Sequence, residues 1–153
     1  MPEFGYSFAE YDPAIHVRAS RREADVSPKA AREVCRAIKG MTIPEARRFL
    51  EDVIDKKKPV AYRRYKRETP HRRGLVGFHA GGYPVKAAKE VLKTLDNLEA
   101  NADFKGLDTE RVRIIHAAAQ RGFKVKSYMP RAFGRSSPSF NTLTHIELVG
   151  KEV

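Results

Sequence analysis

The chain has 153 residues, a length that fits one domain with room for a real core. Hydrophobic residues make up 41% and charged residues 32%, proportions that argue against wholesale disorder and against a membrane protein. The 30 lysines and arginines outnumber the 19 acidic residues, so a formal net charge of +11 favours a polyanionic partner, nucleic acid before an anionic membrane surface.

The N-terminal segment and the cysteine content indicate a reduced, cytoplasmic protein. MPEFGYSFAEYDPAI has neither the basic leader nor the apolar stretch of a signal peptide. No apolar run approaches the roughly 20 residues that span a bilayer. A single cysteine, Cys35, excludes an intramolecular disulfide and any zinc site built from several cysteines, and we expect it to be a small core residue.

A strand and two short amphipathic helices are predicted in the first third of the chain. Residues 15–26 alternate partly between polar and apolar types, which is a weak strand signal. Ser27 and Pro28 favour a helix start, with a hydroxyl at the N-cap and proline at the first helical position. Thr42 and Glu45 form a capping-box pattern for a second helix. The apolar residues at helical spacing are Ala31, Val34, Cys35, Ile38, Ala46, Phe49, Leu50, Val53 and Ile54.

A basic insert of about residues 56–83 follows, in which periodicity disappears. It is rich in glycine, proline and basic residues, and Glu68 is its only acid. Loops this long inside a compact domain are usually functional or disordered. From charge, its candidate RNA-binding residues are Lys56, Lys57, Lys58, Arg63, Arg64, Lys66, Arg67, Arg72 and Arg73. For residues 56–58, a solvated surface is an equally good interpretation.

A third helix and two strands are predicted in the remainder. Pro84 opens a helix that ends around residues 104–106, about 30 Å long, and that we expect to lie across a small sheet. Alternating apolar and polar residues then predict strands around Ile114 and Ile146. If these two isoleucines face each other across an antiparallel pair, the midpoint of their connection is Pro130.

That connection contains KSYMPRAFGRSSPSF, and we predict that it forms a protruding β-hairpin arm of about residues 119–141. The arm could project on the order of 40 Å, at about 3.3 Å per residue. No acid occurs between Arg111 and Ile146. An acid-free arm suits phosphate-lined surroundings, since each guanidinium can bridge two phosphate oxygens. Aromatic residues that could stack on bases, or pack locally, are Phe123, Tyr128, Phe133 and Phe140.

No motif in the chain indicates catalysis, a metal site or a cofactor. GFHAGGYP is glycine-rich but lacks the lysine and hydroxyl pattern of a phosphate-binding loop. His116 and His145 are better interpreted as neighbouring strand residues than as metal ligands. Paired carboxylates at a telling spacing and a nucleophile elbow are both missing from the sequence, so we expect no enzyme.

The arm and its return strand carry a recognisable pattern. PRAFGR at residues 130–135, then nine residues, then HIEL at 145–148, resembles the universal L-twenty-two family of large-subunit ribosomal proteins. The resemblance covers most of the chain, through SPK at 27–29, GYPVKAA at 82–88 and LEANA, later in the third helix. The long insert and the short C-terminus are similar to the archaeal branch.

The resemblance implies an α+β fold in one domain, residues 1–153, with three helices on a three-stranded antiparallel sheet and a long β-hairpin. It implies a structural role in the large ribosomal subunit, as a monomer in the cytoplasm and away from membranes. The globular part would sit near the polypeptide exit, and the hairpin would line the nascent-chain tunnel. Its partners would be large-subunit ribosomal RNA, the nascent polypeptide, and neighbouring ribosomal proteins including the L-four protein.

Carried over residue by residue, the resemblance places the tunnel-lining tip at the centre of the arm. The tip residues would be Tyr128, Met129, Pro130, Arg131, Ala132, Phe133 and Gly134. The arm residues expected to bind RNA are Arg121, Lys124, Lys126, Arg131 and Arg135. Gly150 stands where the family pattern has an aliphatic residue, so we expect the last strand to end early.

Two hypotheses from other classes remain open at this stage. The first is an architectural DNA-binding protein that wraps duplex with a basic β-ribbon arm and inserts Pro130 or a neighbouring apolar residue between base steps. Such a protein would usually dimerise, and the sequence offers no evident dimer face. The second is a small enzyme acting on a phosphorylated substrate, which would require a concave site with a perturbed acid or base.

Overall fold

The computed structural model describes residues 5–153. The signal-peptide interpretation rests partly on residues 1–4, which lie outside the described part of the chain. Residues 5–153 form three helices and seven strands, in the order β1 His16–Ala24, α1 Pro28–Ile38, α2 Ile43–Ile54, β2 Val60–Ala61, β3 Gly81–Gly82, α3 Val85–Lys105, β4 Val112–Val125, β5 Tyr128–Pro130, β6 Ser136–Pro138 and β7 Asn141–Glu152.

The main sheet is antiparallel, with the three strands in the order β1-β7-β4. Helices α1 and α3 pack against this sheet, α1 mainly on β4 and α3 mainly on β1, while α2 packs on α3. Three helices on a three-stranded antiparallel sheet confirm the predicted α+β class. None of the helices in residues 5–153 has both the length and the apolar character that a membrane crossing requires.

The core forms between the helices and one face of the sheet. The apolar positions that the sequence placed on the first helix, including Ile38 and Cys35, are fully buried or nearly so. From the strands, Ile146 and Leu148 point to the same face because side chains alternate along a strand. Their packing against Leu95 of α3 removes apolar surface from water, which is the main stabilising contribution to such a fold.

Local sequence signals set the helix ends largely as expected, although the Ser27 hydroxyl forms no capping hydrogen bond at the start of α1. Pro28 is the first residue of α1, and α2 begins with the predicted capping box. In this box the Thr42 backbone N–H donates to the Glu45 carboxylate at 3.0 Å. That hydrogen bond holds the pKa of Glu45 below its ordinary value. Gly106 ends α3 in the left-handed conformation, at φ 73°.

The register between β4 and β7 differs from the predicted one. Ile114 pairs with Gly150, and Ile146 pairs with Ala119, so the two isoleucines do not face each other. Alternation repeats every two residues, so it cannot distinguish Ile146 from Gly150 as the partner of Ile114. The two irregularities of the ladder, the first between Ile114 and His116, each shift the pairing by one further residue. A bulge adds a residue to one strand only and shifts the pairing beyond it, and no simple alternation pattern reveals it.

Strand β7 does not end early at Gly150, contrary to the expectation. It runs on to Glu152, and Gly150 pairs with both neighbouring strands. A Cβ atom at this position would lie 2.5 Å from Val112 Cγ1 and 3.2 Å from Val17 Cγ1. Glycine is therefore needed here by close packing rather than by backbone conformation.

The N-terminal segment, residues 5–15, lies over the second face of the sheet, which the sequence did not predict. The Phe8 ring lies 5.7 Å from the His116 ring, and the Arg18 guanidinium lies 4.5 Å from the centroid of Tyr11. The buried Glu147 accepts hydrogen bonds on this face from the Ser7 backbone N–H at 3.2 Å and from His116 Nε2 at 2.9 Å. Both faces of the sheet are thus covered in its three-stranded part.

Candidate nucleic-acid interface

Beyond the three-stranded part, β4 and β7 continue alone as a two-stranded ribbon. Pairing with β1 ends at Thr144, whereas the β4–β7 ladder continues to Val125 and Asn141. The short strands β5 and β6 then pair from Tyr128 opposite Pro138. Almost every residue from 121 to 141 is exposed, so the ribbon is supported by its own pairing rather than by the core. Its reach from the domain stays a prediction.

The turn at the end of the ribbon is centred on Phe133 and Gly134, not on Pro130. Both residues have left-handed backbone conformations, with φ of 58° and 65°. The Arg131 backbone N–H donates to the Arg135 carbonyl at 2.8 Å, which closes the turn. The predicted midpoint was three residues off: two residues because Ile114 pairs with Gly150 rather than with Ile146, and one because of the two irregularities in the ladder. The turn brings Arg131 and Arg135, the two candidate tip arginines, to opposite ends of one short loop.

The basic residues of the ribbon have no acidic partners in the described part of the chain. No ion pair within residues 5–153 involves any of the five predicted arm cations, and all five are exposed: Arg121, Lys124, Lys126, Arg131 and Arg135. Repulsion between them therefore goes uncompensated in the free protein. A ribbon of this charge would be stabilised by an anionic partner.

The four aromatic residues of the ribbon are exposed, and two of them also contact each other. Tyr128 and Phe140 pack edge to face, with ring centroids 5.9 Å apart. Phe123 is 66% exposed and Phe133 is 97% exposed. Tyr128 at 63% and Phe140 at 44% are exposed as well, so stacking on a base remains a role for all four rings.

The base of the ribbon is held by contacts that the sequence did not reveal. Gly122 lies close to the His145 ring, and a Cβ atom at this glycine would come within 2.9 Å of two ring atoms. His145 Nδ1 in turn accepts the backbone N–H of Glu23 at 3.0 Å. Asn141 donates to Asp25 at 2.8 Å, and this bond, with Lys86 second, holds the pKa of Asp25 below its ordinary value.

The basic insert has more order than the predicted loop. Strands β2 and β3 pair at its two ends, which the sequence did not predict. Inside them, the backbone N–H of Tyr62 donates to Ala80 at 3.0 Å, and that of Arg72 donates to His79 at 2.9 Å. Strand β3 can lie this close to β2 because Gly81 has no side chain: a Cβ atom at Gly81 would lie 2.8 Å from the Val60 carbonyl oxygen.

The insert is tied to α1 by Glu33, a residue that the sequence analysis missed. Glu33 is only 1% exposed, and its two carboxylate oxygens accept the backbone N–H groups of Arg63 and Arg64, each at 3.1 Å. Arg32 Nη1 lies 3.4 Å from the same carboxylate. The available signal was weak: Glu33 is the only acid in α1, and a carboxylate that is buried needs hydrogen-bond donors.

The cations of the insert differ in how far they are already engaged. Lys57 pairs with Asp55 and Lys58 with Asp52, both at 2.8 Å, as a solvated surface would. Other guanidiniums lie over aromatic rings of the insert and its flank, Arg63 over Phe78, Arg64 over Tyr65 and Arg72 over Tyr83. Arg67 lies 3.8 Å from Glu68, and all nine candidate cations of the insert are exposed. The insert therefore presents ordered guanidinium–aromatic pairs.

The histidines have structural partners. His116 donates to Glu147, and His145 accepts from the backbone of Glu23. Within residues 5–153, no group of three or more histidine, cysteine or acidic side chains is arranged to hold a metal ion.

The comparison with known proteins gives the family. The family model described as Ribosomal protein L22p/L17e matches residues 19–151. The chain belongs to this family. It is 53% identical to the large ribosomal subunit protein uL22 of Cenarchaeum symbiosum over 99% of both chains. It is 49% identical to the uL22 protein of Nitrosopumilus maritimus over the whole of both chains, and 49% identical to that of Archaeoglobus fulgidus over 99% of this chain and 97% of the relative.

Membership in the L22p/L17e family confirms the resemblance and its archaeal character. A member of this family is a structural ribosomal protein of the large subunit and not an enzyme. The hypothesis of a small enzyme acting on a phosphorylated substrate is therefore wrong.

Proposed function

We propose that this L22p/L17e protein binds large-subunit ribosomal RNA through the ribbon and the basic insert. The observation that carries the proposal is the ribbon: it is two-stranded, exposed, without acids, and without ion pairs for any of its five cations within residues 5–153. An isolated ribbon of this kind is marginally stable in water, so it is suited to surroundings that hold it. Phosphate groups supply the countercharge that the protein lacks.

Within the ribbon, the turn is the part that we assign to the tunnel wall. The two arginines at its ends, Arg131 and Arg135, would contact phosphates, while Phe133 between them is free to stack on a base or to face the nascent chain. The left-handed Gly134 allows the tight turn without a side chain. The predicted tip of residues 128–134 thus consists of the paired strand β5 and this turn.

The insert would form the second RNA contact. Glu33 fixes the backbone at Arg63 and Arg64, so the guanidinium–aromatic pairs of these two residues present flat cationic surfaces with less loss of conformational freedom on binding. The ion pairs of Lys57 and Lys58 within the protein make these two lysines the weakest contributors of the nine candidates.

The proposal also covers the position within the subunit, and membership in the family supports it. We propose one domain, residues 1–153, as a monomer whose globular part sits near the polypeptide exit and whose arm lines the nascent-chain tunnel. Its protein neighbours would include the L-four protein, and the tip would face the nascent polypeptide. The place of action is then the cytoplasmic ribosome. The relatives are themselves named as proteins of the large ribosomal subunit, which supports this assignment.

A salt series tests RNA recognition by the arm. Binding to a large-subunit ribosomal RNA fragment and to duplex DNA of equal length is measured for the wild type and for Arg131→Ala/Arg135→Ala. We expect a preference for RNA that persists at moderate salt. In the double variant, the slope of log K against log salt should fall by about 1 to 2, since each lost phosphate contact contributes about 0.7 to 0.9.

The matched control for this experiment is Lys89→Ala/Lys93→Ala, which removes two exposed cations from α3. It should leave the preference for RNA unchanged. Equal affinity for RNA and DNA, with no effect of the arm variant, would mean nonspecific counterion release and would contradict the proposal. Preference for duplex DNA with dimer formation in sedimentation would favour an architectural DNA-binding protein instead.

A further inference from the structure

Helix α1 carries a row of four cations that is distinct from the ribbon and the insert. Lys29, Arg32, Arg36 and Lys39 recur at spacings of three, four and three residues, so they lie on one side of the helix or directly beyond its end. The row is about 15 Å long at about 1.5 Å per residue. The opposite side of α1 is the buried apolar face.

The row has little compensation within the protein. Arg32 lies 3.4 Å from the Glu33 carboxylate, which already accepts hydrogen bonds from the backbone of the insert. Lys29, Arg36 and Lys39 form no ion pair with residues 5–153. Like charges three or four residues apart destabilise a helix. The helix macrodipole favours the cations near its C-terminus but disfavours Lys29 in the first turn, so helix stability does not explain the row.

The row forms one wall of a cleft. Arg32, Arg36 and Lys39 line a cavity of about 380 Å³ together with Cys35, and its other wall consists of three consecutive alanines of β4, Ala117, Ala118 and Ala119. Because side chains alternate along a strand, Ala117 and Ala119 face α1, and their small size lets a polymer backbone approach this wall closely. None of the residues lining the cleft is acidic.

Both surfaces already described lie towards one end of the cleft, where the N-terminal part of α1 lies. The Gly40 backbone N–H donates to the Ile114 carbonyl at 2.7 Å, which fixes the C-terminal end of α1 beside the start of β4. The other end of the cleft therefore points along β4 towards Arg121 and the ribbon. At the N-terminal end of α1, Tyr65 of the insert lies 5.8 Å from Lys29 Nζ and 5.7 Å from Arg32 Cζ, measured to its ring centroid.

We propose that the cleft between α1 and β4 binds the sugar-phosphate backbone of an RNA strand, with Arg36 and Lys39 on its phosphates. Arg32 holds the edge nearest the insert, and Tyr65 is the adjacent platform for a base. The inference rests on the proposed function, because RNA is taken as the partner. It adds a third contact surface, on the globular part, that extends away from the insert and the ribbon along α1.

The test compares Arg36→Gln/Lys39→Gln with the wild type in the same RNA salt series. Glutamine removes the charge and keeps an aliphatic stem with a polar end. Both residues are exposed, so the fold should persist, and circular dichroism and thermal unfolding can verify this. We expect affinity to fall about 10-fold at moderate salt and the salt slope to decrease by about 1 to 2. Combination with Arg131→Ala/Arg135→Ala should reduce the slope further.

A second readout maps the contact directly. Bound RNA should protect Lys39 from amine acylation, while Lys89 on α3 should react equally with and without RNA. An unchanged slope in the cleft variant and an unprotected Lys39, while the arm variant still loses RNA affinity, would overturn the cleft alone. If neither variant affects binding and RNA is not preferred over DNA, the proposed function fails with it. Binding of a poly-glutamate peptide is measured for the wild type and for Arg36→Gln/Lys39→Gln as well. If the cleft variant loses the peptide but keeps its RNA affinity, the cleft is a site for an acidic protein segment, and the proposal is overturned.

Discussion

Glu33 and Arg64 lie 31 residues apart in the sequence, yet the Glu33 carboxylate accepts the Arg64 backbone N–H at 3.1 Å. This contact, with its twin to Arg63, joins a buried position of α1 to the middle of the basic insert. The only carboxylate on the buried face of α1 thus positions the two guanidinium-bearing residues that follow Tyr62. The buried Glu33 carboxylate therefore fixes the backbone of the exposed basic insert at Arg63 and Arg64.

Substitution of Glu33 should loosen the insert. Glu33→Ala removes the acceptor for two backbone N–H groups, and charge-assisted hydrogen bonds contribute about 1.5–3 kcal/mol each, so we expect a loss of about 3–6 kcal/mol in the free energy of unfolding. Hydrogen exchange at residues 60–82 should accelerate before that of the core. Glu51→Ala, at an exposed position of α2, is the control and should change neither quantity. Equal exchange in both variants would show that the insert is held by other contacts.

Substitution of Gly150 should destabilise the sheet. In Gly150→Ala the new Cβ would lie 2.5 Å from Val112 Cγ1, and overpacking of a core typically lowers the free energy of unfolding by about 1–3 kcal/mol. Denaturant unfolding measures the effect. Gly5→Ala, where nothing lies within 4 Å of the new atom, should unfold like the wild type. A Gly150→Ala protein of unchanged stability would mean that β4 and β7 can separate without cost.

Cys35 should be inert in the folded protein. Burial, with the charge of Glu147 second, raises the pKa of the Cys35 thiol from 9.0 to about 12. Because the folded state holds this proton more tightly than the unfolded state, the thiol's contribution to stability is full below pH 9 and is lost as the pH rises towards 12. Labelling by a thiol reagent at pH 8 should therefore proceed at the rate of unfolding and accelerate only in denaturant. Rapid labelling of the native protein would contradict this.

The base of the ribbon should depend on Gly122. Gly122→Ala would place a Cβ atom 2.9 Å from the His145 ring and displace the acceptor of the Glu23 backbone N–H. We expect weaker RNA binding from a reoriented ribbon, with a smaller change in thermal stability than for Gly150→Ala, because Gly122 lies at the edge of the core. His145→Ala in the same background should relieve the clash and recover part of the affinity. No recovery would place the defect in the strand backbone.

The parts of the fold that local chemistry determines could be predicted from the sequence. The starts of α1 and α2 follow from Pro28 and from the pairing of Thr42 with Glu45, which involve neighbours in the chain. The register of β4 and β7 could not be predicted, because alternation fits Ile146 and Gly150 equally as the partner of Ile114, and the choice depends on packing between strands. The strand through Gly150 was missed for the same reason, since its need for glycine lies in Val112 and Val17.

The candidate site divides in a similar way. Charge alone identified the cations of the ribbon, because an acid-free segment is visible without a structure. Glu33, the cleft beside α1 and the cover of residues 5–15 over the sheet depend on contacts between distant segments. Their residues look ordinary in sequence: an acid in a helix, three alanines in a strand, and a serine near the N-terminus.

In the proposed function, the ribbon enters folded ribosomal RNA. The most direct measurement places an iron chelate on Phe133→Cys, a 97% exposed position at the turn, and maps hydroxyl-radical cleavage of the RNA in reconstituted large subunits. The native Cys35 is buried and should not carry the probe. Cleavage confined to a few RNA segments, and distinct from that of a probe at Asp108→Cys on the globular part, is the predicted result. Absence of cleavage from position 133 in subunits that contain the protein would contradict the account.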